Sequence, residues 1–141
     1  MQLSIQTIKA AHNRIKPYII NTPIKSDKEI NHLVDADVYF KCENLQNSGS
    51  FKFRGASNAV FSLNDEEARR GVITVSSGNH GTALSMAAKN RGIPATVILP
   101  SNATKYKKNL IEELGANIII CKPTVKSREK TLLDVKEKTG A

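Results

Sequence analysis

Six consecutive residues, Ser76-Ser77-Gly78-Asn79-His80-Gly81, bring two hydroxyls, an amide, an imidazole and two glycines together. They follow the β-branched run Val72-Ile73-Thr74-Val75 and precede a stretch with helical spacing, so they sit where a strand becomes a helix. The first amides of a helix have no partner inside it and carry partial positive charge. A carboxylate or phosphate suits such a place, and Gly78 lets the backbone come close to a ligand. Ser76 and Ser77 could instead cap the helix, with Asn79 completing the turn. Six polar or glycine residues exceed what a cap requires, which favours ligand binding. The run is no dinucleotide fingerprint, because the Gly-x-Gly-x-x-Gly spacing is absent.

A second stretch, Gly49-Ser50-Phe51-Lys52-Phe53-Arg54-Gly55-Ala56, sets a lysine between two phenylalanines at a helix start. That is a setting for an amine nucleophile. It is also one for a surface lysine lying along aromatic carbon, and composition alone favours the latter because lysines are plentiful. Arg54 reads as a surface or ion-pair residue in either case.

The elements that would hold these residues follow from the apolar spacing. Ile5, Ile8, His12 and Ile15 share one face of a helix that Pro17 stops. A helical piece over Asp27–Leu33 and a strand over Asp37–Cys42 come next. Gln46–Ser50 reads as a flexible polar loop. It feeds a helix with Ala56, Ala59, Val60 and Leu63 on one face. Asn64 and Glu67 mark a short capped helix ending at Gly71. From there strands at Val72–Val75, Ala95–Leu99 and Asn117–Cys121 alternate with helices at Asn79–Asn90, Lys105–Leu114 and Val125–Thr139. Ala83, Leu84, Ala87 and Ala88 form the apolar face of the first of these. This alternation predicts an α/β fold, a small doubly wound parallel sheet with helices on both faces. Residues before about 53 lie outside that repeat and form an N-terminal arm.

The chain has 141 residues, 40% apolar and 24% charged, enough for one globular domain with a core. The start Met1-Gln2-Leu3-Ser4-Ile5 has no charged region followed by an apolar stretch, so no secretory signal is expected and a cytoplasmic setting is. Cys42 and Cys121 are far apart and expected to be reduced core thiols, with no metal site. The net charge of +8 is spread along the chain without interleaved aromatics, so neither a nucleic-acid platform nor a membrane surface is expected.

Ser50-Phe51-Lys52-Phe53-Arg54-Gly55-Ala56 is similar to the lysine signature of the pyridoxal-phosphate (PLP) dependent, fold type II threonine and serine dehydratases and serine racemases. Ser76-Ser77-Gly78-Asn79-His80-Gly81 resembles the loop of those enzymes that grips the substrate carboxylate, and Lys41-Cys42-Glu43-Asn44-Leu45-Gln46 resembles the strand before their lysine. The resemblance covers essentially the whole chain. It implies that Lys52 anchors PLP as a Schiff base, is displaced by the substrate amine and takes the α-proton. Phe51 would pack near the ring and Asn79 would bond its phenolic oxygen. Ser76, Ser77, Gly78, Asn79 and His80 would hold the substrate carboxylate. The implied reaction is loss of water from L-threonine or L-serine to give a 2-oxo acid and ammonia. Bacterial threonine dehydratases often carry alanine where Ser77 stands, whereas serine racemases and hydroxyaspartate dehydratases carry serine. Ser77 therefore favours the racemase-like branch as the alternative activity. Lys25-Ser26-Asp27-Lys28 lacks the hydroxyl-rich sequence of nucleotide-activated racemases.

The family also uses a glycine-rich phosphate loop, a partner for the pyridine nitrogen and carboxylates for a divalent cation, and none is visible here. The resemblance thus assigns residues 1–52 to the first segment of a large PLP domain and 53–141 to the small domain. The chain is read as a truncated product or partial gene, expected to bind PLP weakly or not at all and to be inactive alone, whereas the full-length enzyme is expected to be a homo-oligomer. The competing reading is a non-catalytic remnant or amino-acid-binding module built on the Ser76–Gly81 turn.

Overall fold

In the computed structural model, which describes residues 3–141, Ser4 opens helix α1 (Ile5–Ile15) with a reciprocal capping box. The Ser4 hydroxyl accepts from the Thr7 amide at 3.2 Å, and the Thr7 hydroxyl accepts from the Ser4 amide at 3.0 Å. Met1 and Gln2, the start of the stretch read for a leader and of the 1–52 segment, lie outside the described residues. The expected face of α1 forms, but only its last member is covered: Ile15 is buried, while Ile5 and Ile8 are 58% and 51% exposed. Among the described residues α1 packs chiefly on the helix that begins at Lys52, and near its C-terminal end Arg14 donates to Asn58 of that helix.

Strand β1 (Ile24–Lys25) pairs antiparallel with β2 (Phe40–Lys41), and α2 (Lys28–Val34) lies between them. The expected strand over Asp37–Cys42 shortens to two residues. Its partner is equally short, because Asp27 ends β1 by accepting the Glu29 and Ile30 amides, both at 3.0 Å, and so starts α2.

The remainder is α3 (Lys52–Ser62), α4 (Asp65–Arg70), β3 (Val72–Val75), α5 (Asn79–Arg91), β4 (Ala95–Pro100), α6 (Lys105–Glu113), β5 (Asn117–Cys121) and α7 (Val125–Thr139). The Asn64–Glu67 capping box of α4 is present, with both bonds at 2.9 Å. At Gly71 the chain turns with φ +79°, and a Cβ there would lie 2.5 Å from the Pro94 carbonyl oxygen. Only glycine permits this approach, which lets the Val72 amide bond that same oxygen and start β3 beside β4.

The three strands form a parallel sheet in the order β3-β4-β5. The two consecutive crossovers place α5 and α6 on one face, where Ala88, Val97, Leu99 and Ile111 close a core. On the other face α7 returns across the sheet to β3, and Val135 meets Ile98 and Cys121. Helices therefore cover both faces, as expected. A further cluster joins α3 to α5 through Phe53, Ala56, Val60, Ala83, Leu84 and Ala87. Its stripe on α3 is Phe53, Ala56, Ser57 and Val60, so Ala59, expected on the apolar face, turns out to solvent. Cys121 is buried as expected. Cys42 is not a core thiol: it is half-buried on the arm, where little chain covers it.

Candidate active site

Strand β3 hands its last ladder bond to Ser76, whose amide donates to the Ile98 carbonyl at 3.1 Å. The chain then turns sharply into α5. The Ser76 hydroxyl accepts the Gly81 amide at 2.9 Å and the Gly78 amide at 3.3 Å, so it closes the turn from inside. For Ser76 the capping role is thus realised. The N-cap itself is Gly78, which has no side chain to cap with. Among the described residues the Asn79 and His80 amides of the first turn find no acceptor. They remain aimed outward with the dipole of a thirteen-residue helix behind them. Ser77, Asn79 and His80 are exposed. Gly81 permits the tight turn: a Cβ there would sit 3.2 Å from both the Ser76 carbonyl oxygen and Val97 Cγ1.

The two side chains at the head of α5 diverge. Asn79 Oδ1 accepts from Lys107 Nζ of α6 at 3.0 Å. His80 instead lines a hollow of about 490 Å³ bounded by Gly55, Ala59, Val72, Leu84 and Ala141. The turn therefore presents an amide toward α6 and an imidazole toward α3.

The segment before Lys52 is ordered, in contrast to the expected flexible loop. It forms two 3₁₀ turns, Glu43–Leu45 and Asn47–Gly49. Gln46 clamps Ile20 in both directions, accepting its amide at 2.9 Å and donating to its carbonyl at 2.8 Å. Asn47 donates to the Tyr18 carbonyl at 2.8 Å. Bulk polarity could not reveal this, because the partners lie more than twenty-five residues upstream. Ser48 holds a left-handed φ of 63°. The Ser48 and Ser50 hydroxyls are buried without a hydrogen-bond partner. Strain and unmet polar atoms together mark a segment shaped for something besides its own packing.

Lys52 is the first residue of α3 and is exposed. The phenylalanines on either side of it part company. Phe51 stays 59% exposed with its ring centroid 4.5 Å from Lys52 Nζ, while Phe53 is fully buried. One ring accompanies the amine and the other anchors the helix beneath it. Both α3 and the Asn47–Gly49 turn pack on α5, so the lysine segment and the Ser76–Gly81 helix lie against each other.

Arg54 is more than a surface cation. Its Nε and Nη2 donate to the two Glu43 carboxylate oxygens at 2.8 and 2.7 Å, a bidentate pair, and Thr22 donates its hydroxyl to the same carboxylate. The pair ties the 3₁₀ turn and the N-terminal arm to the helix that Lys52 begins. The hydrogen bond from Arg54, followed by that from Thr22, holds the Glu43 carboxyl at about 2, against the opposing effect of burial. A carboxylate held below its unfolded value stabilises the fold above about pH 4.5, and that contribution fades as pH falls toward about 2. Glu43→Gln is expected to cost about 1–3 kcal/mol near neutral pH. It should also flatten the acid limb of a stability–pH curve from urea titrations. An unchanged acid limb would show that the pair carries none of it.

Among the described residues no group of three His, Cys, Asp or Glu could hold a metal ion, and no helix is long and apolar enough to cross a membrane.

The model of the family described as pyridoxal-phosphate dependent enzyme matches residues 15–141. The chain is 50% identical over 131 residues to a beta-hydroxyaspartate dehydratase of Paracoccus denitrificans, covering 93% of this chain and 42% of that protein. It is 47% identical over 137 residues to a serine racemase of Arabidopsis thaliana, covering 97% of this chain and 41% of that protein. The solved structure of maize serine racemase superposes with a TM-score of 0.97 at 43% identity, covering all of this chain and 43% of that one. The chain thus spans about two fifths of the length of the relatives it matches.

The residues present fit an anionic aromatic aldehyde such as pyridoxal phosphate. The exposed amine of Lys52 lies beside an exposed ring, two unpartnered buried hydroxyls lie just before it in the chain, and the helix it begins packs on a helix whose first amides are unmet. The lysine signature, the turn, the parallel α/β unit and a match running from Ile15 to the last residue converge, and this chain belongs to the pyridoxal-phosphate dependent enzyme family.

Proposed function

We propose that the complete protein containing this chain removes the α-proton of a β-hydroxy amino acid of the serine or 3-hydroxyaspartate type, with racemisation and loss of water as its two outcomes. Within it, residues 1–52 belong to the larger PLP domain and 53–141 form the smaller one. The observation that carries this reading is the division of labour between the two serines of the turn. Ser76 is bound up with its own backbone, whereas the Ser77 hydroxyl is exposed beside unmet amides. Relatives at 47–50% identity include serine racemases and a hydroxyaspartate dehydratase, which favours those activities over the threonine deamination expected first from sequence.

Lys52, Phe51 and Asn79 would hold the cofactor, which when bound supplies the electron sink that acidifies the α-carbon. The remaining chemistry belongs to this chain's side chains. The Asn79 and His80 amides, with the Ser77 hydroxyl, receive the substrate carboxylate through helix-start polarity and so fix the orientation of the α-C–H bond. The Lys52 amine takes the α-proton on its own face. The Ser77 hydroxyl supplies a proton to the opposite face, which inverts the centre. When the β-hydroxyl instead leaves as water before that proton arrives, the enamine left behind takes up water and breaks down to a 2-oxo acid and ammonia.

Ser77→Ala in the complete gene product tests this. Racemisation should fall about 100- to 1,000-fold, while elimination stays within a few-fold, because proton removal by Lys52 is untouched. D-serine and pyruvate release are measured side by side on L-serine. Equal loss of both would reduce Ser77 to a carboxylate-binding role, and no loss of either would sink the proposal.

A further inference from the structure

Lys107 stands outside every motif read from the sequence, yet it touches the turn. It lies in the first turn of α6, which Thr104 caps by accepting the Lys107 amide at 3.4 Å. Its side chain is half-buried and passes the Tyr106 ring, whose centroid is 5.9 Å from Nζ. Its neighbour Lys108 pairs with Glu112 at 3.8 Å, but among the described residues Lys107 makes no ion pair. Its hydrogen bond goes to Asn79 Oδ1 at 3.0 Å.

The polarity of that bond has a consequence. An ammonium offers three donors and no acceptor, so it can be met only by the oxygen end of an amide. The NH₂ end of Asn79 is therefore turned away from Lys107 and left to donate. An amide at a helix start, exposed on both sides, otherwise has two nearly equivalent orientations that differ by a half-turn. One presents a donor to an anionic oxygen and the other presents a carbonyl that repels it.

We propose that Lys107 is a positioning residue for the cofactor site: it locks the Asn79 amide with its NH₂ outward and so fixes the donor that meets the cofactor's ring oxygen. The proposal rests on the reading of Asn79 as that oxygen's partner. It concerns orientation and not shape, because both residues lie at the surface, outside the three buried clusters. Lys107→Met keeps the apolar stem, removes the ammonium and leaves the amide free to turn.

The test titrates pyridoxal phosphate into the complete gene product and its Lys107→Met, Lys107→Arg, Asn79→Ala and doubly substituted Asn79→Ala/Lys107→Met forms. The dissociation constant and the position of the bound cofactor's long-wavelength absorbance band are read. Lys107→Met should weaken binding about three- to tenfold, the worth of one net hydrogen bond. It should also move the band in the same direction as Asn79→Ala. Lys107→Arg, which still donates to the amide oxygen, should restore both, and the double variant should match Asn79→Ala alone. The thermal midpoint of each cofactor-free protein should stay at that of the parent. If Asn79→Ala moves the band and Lys107→Met does not, Lys107 is idle and the proposal fails while the Asn79 reading stands. If Asn79→Ala is also silent, the Asn79 reading fails and takes the proposal with it. A cofactor effect of Lys107→Met that tracks a lowered cofactor-free midpoint would mark a structural role and overturn the positioning one.

Discussion

Lys52→Ala in the complete gene product is expected to lower both racemisation and elimination by about a thousandfold or more, with almost no change in stability. The two halves of this expectation come from one geometric fact. Lys52 opens α3 but is exposed, so its side chain contributes little to packing, and surface changes of this kind usually stay within about 0.5 kcal/mol. The helix below does not depend on it, since the Phe53 and Arg54 amides already close the first turn onto the Ser50 and Phe51 carbonyls at 3.3 and 3.1 Å. Chemistry, by contrast, has nothing to replace the amine. Arg54 is held in a bidentate pair with Glu43, and Lys107 is turned to Asn79. Lys52→Arg should be as inactive as Lys52→Ala, because a guanidinium stays charged and cannot act as the nucleophile. Borohydride treatment followed by peptide mass analysis gives an independent reading. The parent should retain pyridoxyl mass on the peptide holding Lys52, and both variants should lose it. Mass appearing on another lysine of the parent would move the anchoring role elsewhere.

The repeating part of the fold was legible from residue 64 onward because each signal there is local. The capping pair Asn64 and Glu67, the β-branched run at 72–75 and the four apolar positions of α5 all act within a few residues of one another. The arm was less legible because its order comes from distant partners. Gln46 bonds Ile20, Asn47 bonds Tyr18 and Glu43 receives Thr22, so a stretch that reads as a loose polar loop is held in place from outside. Site residues were legible as types and not as roles. Adjacent serines look alike in sequence, yet Ser76 faces the backbone of its own turn and Ser77 faces out. The identical rings flanking Lys52 separate in the same way, because side chains two positions apart at a helix start point about 200° apart. Lys107 left no mark at all among twenty-one basic residues. Its meaning depends on α6 crossing beside α5, which only the sheet order fixes.

Phe53→Ala should be the most destabilising single truncation near the site, at about 3–5 kcal/mol, and toward the upper end of that range. The cost depends on how far neighbours can relax into the space, and here much of the wall cannot. The ring is completely buried among Ala56, Val60, Ala83, Leu84 and Ala87. Alanine has no rotamers to redirect, so the three alanines of this wall leave much of the cavity open, and Val60, Leu84 and the partly buried side chains around the cluster, Met86 among them, can fill only part of it. Stability of a domain this size is typically about 5–15 kcal/mol, so the loss is a large share of the whole. Urea titration of the variant should show a lower midpoint with an unchanged slope. Phe53→Leu, which keeps most of the volume, should lose only about 1–2 kcal/mol. The pair of variants also probes how the site is built. The buried ring fixes the roll of the first turn of α3, and that roll sets where the preceding side chain, Lys52, projects. Phe53→Leu should therefore retain borohydride fixation of the cofactor under conditions where the protein is folded, while Phe53→Ala should lose part of it even then. A loss below about 1 kcal/mol for Phe53→Ala would mean the α3–α5 seam is loosely packed, and the seam could then no longer be what fixes the lysine helix on the helix that follows the turn.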